Sequence, residues 1–420
     1  MQGFELSQAG LLEVIKALVA DEFKGLRPQA TQEIYPEDWD KHTSIHPLPA
    51  DANQVSLQAD SMEKLSLATR VTDFFQIRES GLEDYLLRYK TLGQWAELVA
   101  EARKRGTQNI TFSTSGSTGQ PKPCAHDWHS LVAEVDFFRQ VFTQALQYPI
   151  QKILVLSPCQ HIYGFLFSVL LPELLGVPVI RGTRAFSQVQ SRRLAPGDIV
   201  IGFPFIWNQI SRNQQRFPSG VLGVTSTGPC DPRIIRQLKQ QNLHHLIEIY
   251  GSSETSGLGF RTQTDQPFQL LPRWEAIDDR EDLLLDRFSR QQHPLNDRLQ
   301  WQDDRHFYPA GRLDEAVQVG GMNVFPSRVA HQLHQLPQSE KAAVRLMSPD
   351  EGDRLKAFIV PADPGQPEAE LRRQLHAWCR HNLTTAERPK AFTFGSQLPC
   401  NSLGKACDWS LNTSNLSPIE

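Results

Sequence analysis

Through the first hundred positions apolar residues recur at helical spacing. Leu11, Ile15, Leu18 and Val19 form one stripe, and Leu65, Ala68, Thr69, Thr72 and Phe75 form a second. Asp60 with Glu63 three residues later marks a helix start, and residues 5 to about 105 are predicted to be helical. After that the pattern shortens to β-branched runs at 109–112, 153–156, 177–180, 199–201, 221–224 and 246–249, separated by helical stretches. Such alternation predicts an α/β core with a largely parallel sheet covered on both faces. Strand-like runs at 342–346 and 355–360 and a helical stretch at 368–383 predict a small α+β domain at the end of the chain. The expected divisions are 1–105, 106–312 and 313–420.

Composition narrows the function classes. The 420 residues are 40% hydrophobic and 21% charged, ordinary for a globular protein with room for two or three domains. A net charge of -4 and the lack of a basic block argue against binding a nucleic-acid backbone. The opening MQGFELSQAG has no charged n-region and apolar core, so no signal peptide is expected. Residues 164–180, the most apolar stretch, are interrupted by Pro172, Glu173 and Pro178 and are too short to span a bilayer. Six cysteines (124, 159, 230, 379, 400 and 407) form no C-x-x-C pair, which fits reduced thiols in a cytoplasmic protein. Neither H-E-x-x-H nor G-x-S-x-G occurs, leaving metallohydrolase and serine-hydrolase readings without an anchor.

The chemistry is concentrated first at 113–122, STSGSTGQPK, which follows a predicted strand. Gly116 and Gly119 allow close approach of backbone to an anion. Thr114, Ser115, Ser117 and Thr118 supply hydroxyls, and Lys122 supplies positive charge. A solvated turn has the same composition. A P-loop is excluded because the lysine is not in a G-x-x-x-x-G-K-[ST] frame. The stretch resembles the [ST]-S-G-[ST]-T-G-x-P-K phosphate loop of the adenylate-forming superfamily, which includes acyl-CoA and aryl-CoA synthetases.

Further motifs follow in that family's order. Residues 157–164, SPCQHIYG, are similar to its H-x-x-G segment, which implies that His161 shapes the acyl pocket. Residues 226–229, STGP, resemble the adenine-side turn, with Thr227 in place of a glycine before Gly228. Residues 250–254, YGSSE, resemble Y-G-x-T-E. This implies Tyr250 against adenine, Gly251 for close approach, Ser253 near the α-phosphate and Glu254 as the Mg²⁺ ligand. From Asp297 to the Gly311–Arg312 pair the family spacing is kept, implying that Asp297 takes the ribose hydroxyls and that Arg312 reaches ribose or phosphate. Asp314 would be the pivot of a C-terminal lid, the glycine-rich 320–327 segment resembles aryl-CoA ligases, and Lys405 in a P-x-x-x-x-G-K motif would carry adenylation. Arg328 and Ala330 depart from acids common at their positions.

The resemblance implies activation of an aryl or short acyl carboxylate by ATP and Mg²⁺ to acyl-AMP, with pyrophosphate released. Transfer to coenzyme A or to the phosphopantetheine thiol of an acyl carrier protein follows. Tyr163, Phe165, Phe203, Phe205 and Trp207 near the pocket segments favour an aromatic or short unsaturated acid. Only about 110 residues precede the loop, fewer than in full-length members, so the front of the fold is expected to be abbreviated. This front and a carrier-like opening resemble AMP-ligases of aryl polyene and xanthomonadin-type pathways. In a carrier, Ser61 would bear the phosphopantetheine; the alternative, a plain helix cap, is favoured because Gln58 stands where carriers have glycine. Two other readings remain open, a non-catalytic nucleotide-binding scaffold and adenylation followed by amide formation.

Overall fold

The first two helices start where side chains satisfy orphan amides. Ser7 Oγ accepts the Gly10 N–H at 3.0 Å and opens α1 (Gln8–Leu26), whose inner face buries Leu11, Val14, Ile15, Leu18, Val19 and Phe23. Asp60 accepts the Glu63 N–H while Glu63 accepts the Asp60 N–H, a reciprocal cap that opens α2 (Ser61–Phe75). The buried stripe of α2 is Leu67, Ala68, Val71, Thr72, Phe74 and Phe75, so Leu65 and Thr69 face solvent, contrary to the predicted stripe. Lys64 lies on the buried side as well, its ammonium donating to the Leu87 and Tyr89 carbonyls at 2.9 and 2.7 Å. After α3 (Glu83–Arg88) and α4 (Leu92–Lys104), the Trp95 indole closes this layer by donating to Leu86 O at 2.9 Å.

This computed structural model describes residues 4–27, 35–49, 52–106, 109–115, 121–277, 280–312, 316–399 and 408–411. They fall into two compact units. The first comprises Met1–Thr114, Pro123–Pro294 and Gln300–Tyr308; the second comprises Ser115–Lys122, Leu295–Leu299 and Pro309–Glu420. The four N-terminal helices therefore share a unit with the strands that follow. Arg70 and Gln76 of α2 donate to Ser113 Oγ and Thr111 Oγ1 of β1 (Asn109–Ser115) at 2.9 and 2.6 Å.

β1 pairs with β2 (Pro121–Asp127), and α5 (Trp128–Leu146) leads into the main sheet. Its parallel strands are β3 (Lys152–Val155), β4 (Val179–Arg181), β5 (Asp198–Gly202), β6 (Leu222–Thr225) and β7 (His245–Ser252). Between them run α6 (Ile162–Phe165), a π-helical stretch Leu166–Leu170, α7 (Leu171–Leu175), α8 (Gly182–Gln190), α9 (Pro204–Ser211) and α10 (Pro232–Gln240). All of β5 and β6 is buried, as their unbroken apolar runs require of a sheet covered on both faces. Beyond β7 the sheet turns antiparallel through β8 (Ser256–Arg261) and β9 (Phe268–Leu270), because the turn after β7 is too short for a crossover. Strands β10 (Trp274–Ile277), β11 (Arg280–Asp286) and β12 (Gln292–Pro294) make a separate sheet. The nine-stranded order is completed by β13 (Asp297–Asp303) and β14 (His306–Arg312), the latter beside β9. It is a mixed rather than wholly parallel sheet. Among the described residues no helix is long and apolar enough to cross a membrane.

In the second unit, β15 (Val317–Val319) and β16 (Met322–Val324) form a hairpin whose two turn residues, Gly320 and Gly321, have φ of 59° and 83°. A two-residue turn with both φ values positive needs glycine or asparagine, which accounts for the Gly-Gly pair. Next come α11 (Pro326–His334), β17 (Ser339–Leu346), β18 (Leu355–Pro361), α12 (Glu368–Asn382) and β19 (Ala391–Phe394). Val329 and Leu333 of α11 and Leu371, Leu375 and Cys379 of α12 share one core with Leu355, Ala357 and Ile359 of β18. Arg328, the departure from the family pattern, pairs with Glu387 at 2.5 Å. Lys356 is buried yet satisfied, at 2.7 Å from Glu351, 3.1 Å from Asp408 and 2.6 Å from the Trp409 carbonyl. Burial works against the Glu351 charge, but its bonds to Lys356 and to the Ser348 and Leu411 amides prevail and bring its pKa down to about 2. Removing the partner of a buried charge costs about 3 kcal/mol. Lys356→Ala is accordingly expected to lower the unfolding free energy by about that amount in urea titrations. A loss below ~1 kcal/mol would show that the pair contributes little.

Candidate functional site

The carboxyl ends of β6 and β7 carry five of the predicted nucleotide residues, Gly228, Tyr250, Gly251, Ser253 and Glu254. Ser226 Oγ donates to Ile249 O at 2.8 Å and ties the 226–229 turn to β7. Thr227, which replaces the family's glycine, nevertheless keeps a left-handed φ of 75°, a conformation a β-branched residue adopts only at a cost. Gly228 follows it. On β7 the half-buried Tyr250 ring lies 5.5 Å from Phe268 and 5.7 Å from Phe307, which forms an aromatic wall at the strand end. Gly251 sits at a register shift against β8, and a Cβ there would come within 2.1 Å of the Ser256 carbonyl, so only glycine fits. The turn that follows carries Ser253 and the half-buried Glu254, closed by Ser252 Oγ and Thr255 Oγ1 at 3.0 Å.

Two buried residues that the motifs do not contain hold this turn. His126 of β2 places Nε2 2.6 Å from Ser253 O, and since a carbonyl only accepts, Nε2 carries the hydrogen. Burial lowers its pKa to about 4, so the ring is neutral. On the other side Glu134 of α5 accepts the Gly257 N–H at 3.0 Å, and the Trp274 indole donates to Gly257 O at 2.8 Å. Burial raises the Glu134 pKa to about 7. No local pattern marks either residue, since their partners are more than a hundred positions away.

His161 follows β3 at the head of α6 and is exposed. Its pKa is held below the usual histidine value by desolvation, aided by Arg70 and Lys24 and opposed by Asp21. The glycine of the H-x-x-G segment has a steric cause: a Cβ on Gly164 would lie 1.8 Å from Pro158 O. Three aromatics expected near the acid serve the core instead. The Tyr163 hydroxyl points between Gly202 O and Val224 O at 2.9 and 3.1 Å, the Trp207 indole donates to Val224 O at 3.1 Å, and Phe165 is fully buried. Phe203 and Phe205 stack at 6.4 Å, with Phe205 exposed. A cavity of about 570 Å³ opens where β3 ends, between Lys16, Val155, Arg181 and Ile206. None of its walls comes from β6 or β7, so it does not coincide with the nucleotide motifs.

Thr114 and Ser115 end β1, Lys122 lies in β2, Asp297 opens β13 and Arg312 closes β14. Gly116, Ser117, Thr118, Gly119, Asp314 and Lys405 lie outside the described residues. Among the described residues no group of three or more His, Cys, Asp or Glu side chains could hold a metal. A single carboxylate such as Glu254 suits Mg²⁺, which keeps waters and phosphate oxygens in its shell. The four described cysteines are buried, and burial pushes the thiols of Cys159, Cys230 and Cys379 up to about 12.

The chain is similar to known proteins. A family model described as AMP-binding enzyme matches residues 49–276, and one described as AMP-binding enzyme C-terminal domain matches residues 329–405. Ser61 thus falls within the first match. A 4-coumarate–CoA ligase of Halorhodospira halophila is 37% identical over 351 residues, 83% of this chain and 88% of that protein. A 3,4-dihydroxybenzoate–[aryl-carrier protein] ligase of Bacillus anthracis is 23% identical over 308 residues, 70% of each chain. Among solved structures, the amide bond synthetase McbA from Marinactinospora thermotolerans superposes with a TM-score of 0.58 at 17% identity, covering 94% of this chain and 92% of that one. The likeness is one of fold.

Tyr163→Phe is expected to cost about 1 kcal/mol in urea unfolding, because Gly202 O loses the hydroxyl while Val224 O keeps the Trp207 indole. No measurable cost would return Tyr163 to the list of residues free to serve a ligand.

Proposed function

The chain belongs to the AMP-binding enzyme family, and from that premise we propose that its acid is a hydroxycinnamate such as 4-coumarate and its acceptor the thiol of coenzyme A. It is an AMP-forming ligase that activates a small carboxylic acid with ATP and Mg²⁺ and passes the acyl group to a thiol. The observation that carries the choice of acid is the 37% identity to a 4-coumarate–CoA ligase over 83% of this chain. A carrier-protein pantetheine as acceptor is the second reading, favoured by the aryl-carrier relative.

Two anions must meet in the first half-reaction, so fixed positive charge and donors are required. A carboxylate oxygen attacks the α-phosphorus, the bond to the β-phosphate oxygen breaks, and pyrophosphate leaves with the electron pair. Lys405 would offset the charge of carboxylate and α-phosphate. Tyr250 would lie against adenine beside Gly228, with the bare Gly251 backbone allowing close approach. Asp297 would take the ribose hydroxyls and Arg312 would reach ribose or phosphate. Thr114 to Gly119 and Lys122 would cradle the β- and γ-phosphates, with Ser253 donating to the α-phosphate. Mg²⁺ on Glu254 would neutralise the departing pyrophosphate. In the second half-reaction the thiol sulfur attacks the acyl carbon, AMP leaves, and a thioester forms. Asp314 is the proposed pivot by which Lys405 is withdrawn between the two steps. His161 and the exposed Phe205 are the described side chains proposed to border the acid.

Carboxylate-dependent ATP–pyrophosphate exchange over hydroxycinnamates, benzoates and fatty acids tests this reading. Exchange is expected to be fastest with 4-coumarate, and Lys405→Ala is expected to reduce it at least about 100-fold while ATP still binds. A preference for fatty acids would reject the proposed acid, and unchanged exchange in Lys405→Ala would reject the mechanism.

A further inference from the structure

We propose that the cavity beyond β3 is a binding site for an organic monoanion with an apolar body, a monocarboxylate, and that it is separate from the residues assigned to the reaction. It lies wholly within the first compact unit, between α1, the ends of β3 and β4, and helices α8 and α9. Its volume of about 570 Å³ falls in the range usual for small-molecule sites. Neither His161 nor Phe205 nor any residue of β6 or β7 lines it.

The charges on its walls leave one cation uncompensated. Lys16, buried on α1, and Arg181, the last residue of β4, share a single carboxylate: Glu13 lies 2.8 Å from the Lys16 ammonium and 3.8 Å from Arg181 Nε. Arg181 Nη2 donates to Ser168 O at 2.6 Å, while its Nε has no hydrogen-bond partner among the described residues. Two further acids line the cavity, and each faces other groups. Asp21 lies 3.7 Å from Arg70 and accepts the Gln160 amide at 3.3 Å. The Glu37 carboxylate lies against Gly182 in the first turn of α8, where a Cβ would come within 1.8 Å of it and where the helix dipole favours negative charge. The exposed Lys24 adds another cation.

Ser168 is the second sign of a ligand. It lines the cavity from the middle of the π-helical stretch, a distortion frequent at functional sites. The residue is fully buried, yet its hydroxyl has no hydrogen-bond partner among the described residues. A buried donor left unpaired is costly, and an anion beside Arg181 would accept from it. The guanidinium fork suits a carboxylate, and one uncompensated charge suits a monoanion better than a phosphate or a diacid. Val155, Leu156, Phe186 and Ile206 also line the cavity and offer an apolar surface to a chain or ring.

The test is calorimetric titration of octanoate, with octanamide as the neutral control, into the full chain, beside acid-dependent ATP–pyrophosphate exchange. Octanoate is expected to bind at least about tenfold more tightly than octanamide. Arg181→Gln is expected to weaken octanoate at least about tenfold and octanamide less than about twofold. Ser168→Ala is expected to weaken octanoate about fivefold without lowering the melting temperature, since the fold loses only an unpaired hydroxyl. In both variants the KM of the acid that exchanges fastest is expected to stay within about twofold of wild type. No binding of octanoate, or an affinity indifferent to both substitutions, would overturn the proposal. So would a KM that rises in step with the loss of octanoate binding, because the cavity would then be the pocket of the reacting acid. Should Arg181→Gln not fold, Ser168→Ala decides by the same two measurements. Absence of exchange in the wild-type chain would count against the proposed function, while the calorimetric comparison would still decide the cavity.

Discussion

Backbone carbonyls at the strand ends and turns along one edge of the sheet need donors, and most of the candidate site can be understood from how this chain supplies them. Gly202 O and Val224 O are served by the Tyr163 hydroxyl and the Trp207 indole, Ile249 O by Ser226, Ser253 O by His126 and Gly257 O by Trp274. Each donor comes from a different element, so the strand ends are fastened to helices α6 and α9, to β2 and to β10. These bonds fasten the edge that carries Tyr250 and Glu254 to several separate elements.

Thr227 and Arg328 depart from the family pattern. Thr227, where the resemblance implies glycine, holds a left-handed φ of 75°, which costs a β-branched residue strain. Arg328 departs from an acid and finds a buried carboxylate, Glu387, as its counterpart.

What could be read from the residues alone depended on range. The parallel strands were legible because an unbroken β-branched run has few alternatives, and the Asp60–Glu63 cap because its partners are three residues apart. The buried stripe of α2 was misjudged, and Lys64, which sequence reasoning sends outward, finds two carbonyls and a histidine inside. Tyr163 and Trp207 were expected to meet the acid since an aromatic beside a motif looks like a pocket wall; that they cap strand ends depends on the pairing of β5 with β6. The antiparallel half of the sheet and the brace at His126 and Glu134 had no local signature at all.

The burial of the four described cysteines has a chemical consequence of its own. An enzyme that creates a mixed anhydride and then delivers it to a sulfur nucleophile is exposed to self-acylation and to exchange with its own thioester product. Burial pushes the thiols of Cys159, Cys230 and Cys379 up to about 12, so they are held as the poorly nucleophilic thiol at neutral pH. The interior thereby keeps these sulfurs from competing with the intended acceptor.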